Sequence, residues 1–379
     1  MSEISASTET LLRPDELPPA AVGGPWTRIK AKLFSSWWST ATTLLLGYLT
    51  LRWGFAFLAW SFGYAVWSVP YSPQGTPDTA ACHAVKGIGA CWAVIADKYR
   101  LILFGRFPFA EQWRPAICIA LFIGLYVISA MRRFWRKELV LIWIATLTVI
   151  GILMWGGVFG LTYVRQDIWG GLPLTLILST FGVALAFPLA ILVALGRRAT
   201  NLPAVKLLCV LYVELIRGVP LISVLFMASV MFPLFLPEGI DIDKVLRAQL
   251  GIVLFSAAYL AETIRGGLQA MPREQYEAAD ALGLGYWRKT LLVILPQALR
   301  LVIPPLVNSF IGLFKDTSLV LIVGIFDLLN TAKVAMSDPV WQPFSTEVYL
   351  FLAAIYFSFC CAMTQYSRRL ERDFDRGRR

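Results

Sequence analysis

Eight long apolar stretches, separated by shorter polar segments, run along the chain. A helix needs about 20 predominantly apolar residues to cross the hydrocarbon of a bilayer, and the stretches are close to that length. We therefore predict an all-α polytopic membrane protein with about eight transmembrane helices. The predicted spans are residues 41–69, 116–131, 139–161, 172–195, 207–235, 250–268, 301–328 and 348–363.

Basic residues are distributed unevenly among the polar segments. The basic clusters are RIKAK from Arg28, RRFWRK from Arg132, GRR from Gly196, the segment with Arg288 and Lys289, and the final SRRLERDFDRGRR. These clusters all fall on one side of the predicted topology, and cytoplasmic loops collect Lys and Arg. We therefore predict cytoplasmic termini, with residues 1–40 as a disordered tail and residues 370–379 as a basic tail.

The segment 71–114 departs from this pattern, because it carries five basic residues on the predicted outer side. Its three acids and its length weaken that signal. Only 15% of the chain is Asp, Glu, Lys or Arg, against about 25% in soluble domains. We therefore attribute the net charge of +10 to topology and contact with the lipid bilayer, and we expect no nucleic-acid partner.

The six cysteines fall into two groups. Four lie in or beside apolar spans, where they are expected to be small buried hydrophobic residues: Cys118, Cys209, Cys360 and Cys361. Cys82 and Cys91 share the outer segment, where their spacing permits a disulfide on an oxidising side without requiring one. The single His83 supplies too few ligands for a metal site, so we predict no bound metal.

Motifs for catalysis or nucleotide binding do not occur. The sequence contains no HExxH, no GxSxG and no GxxxxGK[ST]. The segment GLGYWRKT at residues 283–290 ends in Lys-Thr, but no glycine lies directly before the lysine and no buried strand precedes the segment. We therefore predict that the chain is no enzyme and binds no cofactor, and that any ATP is bound by another chain.

A segment rich in charge, alanine and glycine separates the sixth and seventh spans: EQYEAADALGLGYWRKTLLVILPQA, residues 274–298. Pro272 is predicted to be the first residue of a short helix, which Gly283 and Gly285 end. A second short helix is predicted from Tyr286 to about residue 293, until Pro296 stops it. The segment could dock a partner or lie on lipid, and its alanines in place of a broad apolar face favour docking.

Two charged patterns lie inside predicted spans. Glu214 and Arg217 in span five, and Glu262 and Arg265 in span six, are each three residues apart on one helical face. Charges at membrane depth are costly, so the four should face protein or water. They would either pin helices together near the cytoplasmic interface or belong to a gate or substrate path.

Span seven is interrupted by four polar residues. Pro304 and Pro305 should bend the span, and the run Lys315, Asp316, Thr317 and Ser318 follows. Its Asp-Thr-Ser sequence suits the N-cap of a second half-helix that starts near residue 319. Such broken helices can line substrate sites, because their free N–H groups attract a carboxylate; a purely structural kink is the alternative.

Several motifs together resemble a known family. Glu277-Ala278-Ala279, Gly283 and the LeuPro pair at 295–296 resemble the EAA loop of permease subunits in bacterial ABC importers. The segments ELIRGVPLISVLF, SAAYLAETIRGGLQAMP and LFKDTSLV resemble the polar, histidine/glutamine-type amino-acid subfamily. The front half, including GACWAVIADKYRLILFGRFPFAEQWRP, is similar to the longer of the two permease subunits in general L-amino-acid importers.

The resemblance implies a domain organisation. It implies a type I ABC-importer permease core at residues 170–369, with five helices and a cytoplasmic EAA loop at about 269–298. Residues 41–169 would form an extension with three helices and a periplasmic loop at about 70–114. That loop and the extra helices would steady a docked binding protein or form a lipid-facing scaffold.

The resemblance also implies partners and a mechanism. They are a cytoplasmic ATPase dimer that holds ATP and Mg, a periplasmic amino-acid-binding protein and a second, related permease in a heterodimer. The chain would lie in the bacterial inner membrane and pass L-amino acids by alternating access. Its coupling residues would be Glu277, Ala278, Ala279, Gly283, Tyr286, Trp287 and Pro296. An ion-coupled secondary carrier is the alternative.

Overall fold

The computed structural model describes residues 29–30, 32–237, 239 and 242–376, and these residues are mostly helical. The predicted disordered tail, residues 1–40, is described only in part, because residues 1–28 and 31 lie outside the described residues. Residues 29–30, 32–33 and 37–40 are helical, so for these positions the prediction of disorder is wrong. The described chain divides into two compact units, residues 1–66 with 80–90 and residues 67–79 with 91–379.

The first unit contains one long helix, α1 (Trp37–Leu58), which continues as a π-helical turn at Ala59–Gly63. Ser36 caps α1, since its side chain accepts a hydrogen bond from the Ser39 N–H at 3.3 Å. No residue of α1 is buried against other described residues, as expected of a helix surrounded by lipid. A short helix, α2 (Ala80–Ala84), completes the unit.

The second unit contains the other helices. They are α3 (Ala93–Phe104), α4 (Trp113–Ala130), α5 (Glu138–Trp155), α6 (Gly171–Arg197), α7 (Pro203–Arg217), α8 (Leu221–Phe226), α9 (Lys244–Gln269), α10 (Arg273–Ala281), α11 (Tyr286–Arg288), α12 (Leu295–Leu301), α13 (Ile303–Asp316), α14 (Leu328–Ala335) and α15 (Ser345–Arg376). A two-residue strand, β1 (Phe326–Asp327), precedes α14 and forms parallel bridges to Gly170 and Gly171.

The centre of this unit is the packing of α6 against α9. Small side chains at the contact are fully buried: Ala186, Ala190 and Ala194 on α6, and Ala257, Ala258 and Ala261 on α9. Helices in a bilayer associate through close packing of small residues, because lipid tails are as apolar as the helices. The alanines therefore let these two backbones approach closely and form the core.

The candidate membrane spans among the described residues agree with the predicted number of about eight. Seven helical segments are long and apolar enough to cross a bilayer, and the number is eight if one bent pair counts as a single span. That pair corrects the prediction of one continuous span at 207–235, because α7 and the segment Leu221–Phe235 meet at 106°. Gly218 and Pro220 explain the break, since proline lacks an N–H and disfavours helix in the residue before it.

Two span boundaries also differ from the prediction. α5 ends at Trp155 rather than at residue 161, and the chain then turns through glycine-rich sequence. α15 continues to Arg376, past the predicted start of the tail at residue 370. Polar contacts support this extension: Ser367 donates to Glu371 at 3.0 Å, and Arg132 pairs with Asp373 at 3.0 Å.

The outer segment between the first two spans packs on the core through α3. Asp97 accepts hydrogen bonds from the Tyr71 hydroxyl and from the buried Trp341 indole, each at 2.7 Å. Lys98 pairs with Asp338 at 2.9 Å, and its hydrogen bond lowers the pKa of that carboxyl. α3 is too short and too charged to read as a span, yet it contacts helices of the predicted core.

A close backbone approach joins the end of α3 to the start of α6. Gly171 has φ 68°, and a Cβ added there would lie 2.2 Å from the Leu103 carbonyl oxygen. Only glycine fits both the backbone conformation and the space. α14 contacts the same end of α3, since the Thr331 hydroxyl donates to the Ile102 carbonyl at 2.8 Å.

The cysteines follow the two predicted groups. Cys82 and Cys91 are disulfide-bonded. The other four are free thiols, and Cys118 is fully buried while the remaining three are half-buried.

Candidate functional site

The alanine-rich segment forms a short helix, a turn and a second helix. Pro272 is the residue before α10 rather than its first residue, a correction of one position. At the other end Gly283 adopts φ 69°, its N–H donates to Asp280 O at 2.9 Å, and Leu284 N–H donates to Ala279 O at 3.1 Å. These two bonds are those of a Schellman turn, which satisfies the last carbonyls of the helix.

The second helix is longer than the sequence predicted. It begins after Gly285 as α11, widens into a π-helical turn at Lys289–Ile294 and continues as α12 to Leu301. The prediction that Pro296 stops the helix is therefore wrong. Proline cannot donate to a carbonyl of the preceding turn, and the wider π turn before it accommodates that missing bond.

Polar side chains fix the two helices to each other and to the core. Lys289 pairs with Asp280 at 2.5 Å across the turn, and Gln297 donates to Gln275 at 3.0 Å. A third contact reaches the core, where Arg198 donates both to the Tyr276 hydroxyl and to the Leu268 carbonyl. The segment is therefore a braced unit attached to the ends of α6 and α9.

The outer surface of this unit is exposed and mixed in character. Glu277 and Ala278 are exposed, as are Leu282 at 78% and Trp287 at 61%. Tyr286 is also exposed and packs edge-on against Trp287, with ring centroids 5.3 Å apart. We define the exposed positions 277, 278, 282, 286 and 287 as the docking face.

Three residues of the predicted coupling set lie outside this face: Gly283 forms the turn, Pro296 is half-buried in α12, and Ala279 is buried. Ala279 is only 2% exposed, so the prediction that it lets a partner approach closely is wrong. Its methyl group packs inward, which leaves Ala278 as the exposed small residue of the pair.

The predicted ionic residues form one cluster with a different pairing. Arg197, at the end of α6, bridges Glu214 at 2.9 Å and Glu262 at 2.8 Å. Arg265 also pairs with Glu262, and Arg217 lies 3.8 Å from the same carboxylate. Glu214 therefore pairs with Arg197 of another helix, while Arg217, three residues further along its own helix, lies near Glu262.

Arg197 is the residue that sequence reasoning missed. It was counted only as part of a basic loop, although α6 and α9 end on the same side of the core. The cluster joins α6, α7 and α9, with Arg197 largely buried and Glu262 half-buried. Three arginines around one carboxylate fix these helix ends relative to one another.

The polar run in span seven is divided between two environments. Asp316 lines a cavity of about 330 Å³ between α9 and α13, together with Ser256, Tyr259, Ser309 and Phe310 among others. Lys315 is exposed, and Thr317 is fully buried with its hydroxyl donating to the Phe314 carbonyl at 3.0 Å. Ser318 contributes its carbonyl, which accepts from Asn330 at 2.8 Å.

The predicted half-helix at residue 319 is not formed. The polar run leads into a 3-10 helix at Thr317–Val323, with no side-chain cap at Asp316. Pro304 and Pro305 lie in the first turn of α13, where proline is tolerated, and so they mark its start rather than a bend within it.

The helix cap after span seven belongs to Asp327. The Asp327 carboxylate accepts hydrogen bonds from the backbone N–H and the side-chain amide of Asn330, and the first of these caps α14. It also accepts one from the Tyr356 hydroxyl at 3.3 Å. Burial raises the pKa of Asp327 to about 6 despite these hydrogen bonds. Asn330 also bonds to Ser318, so Asp327 connects the end of span seven to α14 and α15.

Metal ligation has no support in the described part of the chain, where no group of three or more His, Cys, Asp or Glu side chains could hold an ion.

The ionic cluster predicts different costs for its two carboxylates. Glu262→Gln should lower the free energy of unfolding by about 2–3 kcal/mol, because it removes the half-buried negative charge that three arginines share. Glu214→Gln removes the same charge from a side chain that is 60% exposed, and should cost about 0–1 kcal/mol. Thermal unfolding of the purified variants in detergent measures the difference, and equal losses would contradict the central role of Glu262.

Comparison with known proteins gives consistent matches. Residues 186–376 match the family described as binding-protein-dependent transport system inner membrane component. The chain is 46% identical to the inner membrane amino-acid ABC transporter permease protein YhdY of Escherichia coli, over 92% of this chain and 93% of that protein. It is 36% identical to the glutamate/glutamine/aspartate/asparagine transport system permease protein BztC of Rhodobacter capsulatus, over the full length of both.

Among solved structures, an amino acid ABC transporter crystallised with histidines contains a chain that is 32% identical. The match covers 54% of this chain and 92% of that one, with a TM-score of 0.47. The family match and the two long relatives are sufficient without it. The chain therefore belongs to the binding-protein-dependent transport system inner membrane components, as a multi-span permease subunit.

Proposed function

We propose that this permease carries L-amino acids across a bacterial inner membrane and that it does so by alternating access. The two long relatives support the substrate class, since both are named as permeases for amino acids. Their matches cover more than nine-tenths of this chain, including the three helices of the extension. An ion-coupled carrier would not need the binding protein that the family description names.

The braced unit of α10 to α12 is the proposed site of coupling to a cytoplasmic ATPase dimer. Work from ATP can move the permease only through an element that both bodies hold rigidly. The Lys289–Asp280 pair and the Arg198–Tyr276 contact supply rigidity on the permease side. The docking face, with its exposed Trp287 and Tyr286, supplies the anchoring surface. ATP and Mg would be held by the ATPase, with no cofactor on this chain.

The orientation follows from charge. With the coupling unit in the cytoplasm, the basic clusters and both termini lie there as well, in accord with the enrichment of Lys and Arg in cytoplasmic loops. α3 then lies on the periplasmic side, where an amino-acid-binding protein would deliver its substrate. The same side is oxidising, which suits the disulfide form of Cys82 and Cys91.

A second, related permease subunit is the proposed cover for the cavity at Asp316. A carboxylate at membrane depth is costly against lipid, so the cavity should face protein and water. Two permease chains that meet across it would enclose a path lined by Asp316 and the hydroxyls of Ser256 and Ser309. A carboxylate there suits the ammonium group that every amino acid carries.

The coupling proposal predicts opposite results for two neighbouring glycines. Gly283→Asp forces a non-glycine residue to φ 69°, which costs about 1 kcal/mol or more, and should uncouple ATP hydrolysis from uptake while the subunit stays in the membrane. Gly285 has φ −62° at the cap of α11, where aspartate is a favourable residue. Gly285→Asp should therefore keep uptake close to the unmodified level.

Both variants are measured in proteoliposomes with the complete transporter, as substrate uptake and as ATP hydrolysis stimulated by the binding protein. Normal uptake and stimulated hydrolysis in Gly283→Asp would refute the proposed coupling role.

The substrate-path proposal predicts a specific effect of Asp316. Asp316→Asn should reduce uptake about tenfold or more, because a charge-assisted hydrogen bond contributes about 1.5–3 kcal/mol. Lys315→Gln, next to it but outside the cavity lining, is the matched control and should change uptake little. Substrate affinity of the isolated binding protein stays the same by construction. Unchanged uptake by Asp316→Asn would favour a purely structural role for this segment.

A further inference from the structure

The loop between α4 and α5 carries a compact basic cluster at the ends of two membrane-spanning helices. α4 ends at Ala130 and α5 begins at Glu138, so the intervening residues lie where the chain leaves the hydrocarbon. Four of them are basic: Arg132, Arg133, Arg136 and Lys137. We call these residues the basic loop.

The basic loop has a fixed conformation. A 3-10 turn covers Arg132–Phe134, and the Trp135 indole donates to the Ser129 carbonyl at 2.9 Å. From α5, the Trp143 indole donates to the Ser129 hydroxyl at 3.0 Å. Trp135 therefore holds the loop against the end of α4, and Trp143 joins α5 to the same residue of α4. Tryptophan side chains prefer the membrane interface, which suits this position at the helix ends.

A cavity of about 330 Å³ opens between the basic loop and the first turns of α5. Its lining combines two basic residues of the loop, Arg133 and Arg136, with two apolar residues of α5, Leu139 and Ile142. Phe134 and Glu138 complete the lining. An anionic group would contact the arginines, while an attached hydrocarbon chain would follow α5 into the bilayer.

The charges of this cavity are available to a ligand. Arg132 is paired with Asp373 of α15 at 3.0 Å. Arg133, Arg136 and Lys137 form no ion pair with any residue that the structure describes, and all three are exposed. Glu138 is the one acid in the lining, so the net charge of the lining side chains is positive.

We propose that the basic loop and the start of α5 form a binding site for one anionic phospholipid, whose phosphate diester is held by Arg133 and Arg136. Basic pockets beside transmembrane helices suit such headgroups. A lipid fits better than a free anion, because the same cavity is also lined by Leu139 and Ile142 of α5, a largely unburied helix that is apolar enough to span a bilayer. The proposal requires that α4 and α5 span a bilayer, and it does not depend on the coupling or substrate assignments.

The contact with α15 gives the site a structural role. Arg132 lies next to Arg133 and connects the loop to the last turns of α15 through Asp373. A lipid bound beside it would neutralise the remaining basic loop and hold the extension against the core at this side of the membrane.

The test counts lipids retained by the complete, purified transporter after exchange into mixed micelles of phosphatidylglycerol and phosphatidylcholine, using native mass spectrometry. The double variant Arg133→Gln with Arg136→Gln should weaken phosphatidylglycerol retention about thirtyfold, because each basic residue near an anionic surface contributes roughly fivefold. Phosphatidylcholine retention should not change. Arg133→Lys with Arg136→Lys should retain most of the binding.

Two further variants separate the site from general charge and from folding. Arg368→Gln with Arg369→Gln removes the same charge from exposed positions on α15 outside the cavity, and should retain phosphatidylglycerol normally. Glu138→Gln should increase retention, since it removes the one repulsive group, and a misfolded chain would not gain affinity.

Three results would overturn the proposal. They are equal loss in the two glutamine pairs, unchanged retention when Arg133 and Arg136 are replaced, and displacement of phosphatidylglycerol by inorganic phosphate, which would identify a free-anion site instead.

Discussion

The carboxylate of Glu262 holds together the ends of α6, α7 and α9. The braced unit of α10 to α12 is attached at these helix ends. Three arginines from three helices converge on the Glu262 carboxylate: Arg197 from α6, Arg217 from α7 and Arg265 from its own helix, α9. Charged groups near a bilayer must be paired or hydrated, so these helix ends cannot separate without exposing several charges together. The alanine packing between α6 and α9 extends the same association through the core.

The position of the braced unit, α10 to α12, depends on this ionic cluster. α9 ends within a few residues of the cluster, and the chain passes through Ala270 to Pro272 into α10. Arg198, adjacent in sequence to Arg197, holds Tyr276 of α10 and the Leu268 carbonyl. A force applied to the docking face would therefore reach α6 and α9 through short, directional contacts. On the proposed coupling, this is the route by which work from a separate ATP-binding chain would enter the permease.

The sequence predicted what is local and missed what is tertiary. The spans and the glycine-ended helix were found because apolar length and a residue with φ 69° have direct sequence signals. The 106° break also had a signal, in Gly218 and Pro220, but composition alone favoured a continuous span. The pairing of Arg197 with Glu214, across 17 residues, had no local signal.

Three sequence predictions differ from the structure, one because of an irregular helical turn and two because of tertiary packing. Pro296 was expected to end a helix, because the rule describes a regular α-helix and cannot anticipate a π turn. The second alanine of the EAA sequence was expected to be exposed, although its burial depends on how α10 is tilted against the core. α3 was assigned to a loop because it is too short and too charged for a span. Its packing on the core depends on contacts such as that of Asp97 with Trp341, more than 200 positions apart, which have no local sequence signal.

The most direct measurement compares two adjacent positions of α10 in a chain whose four free cysteines are replaced by serine. Ala278→Cys lies on the docking face, while Ala279→Cys is buried. If α10 docks on the ATPase, the thiol at 278 should cross-link to the ATPase subunit in membranes and be protected by it from a soluble thiol reagent, whereas the thiol at 279 should do neither. Equal reagent accessibility of position 278 with and without the ATPase would refute the proposed docking.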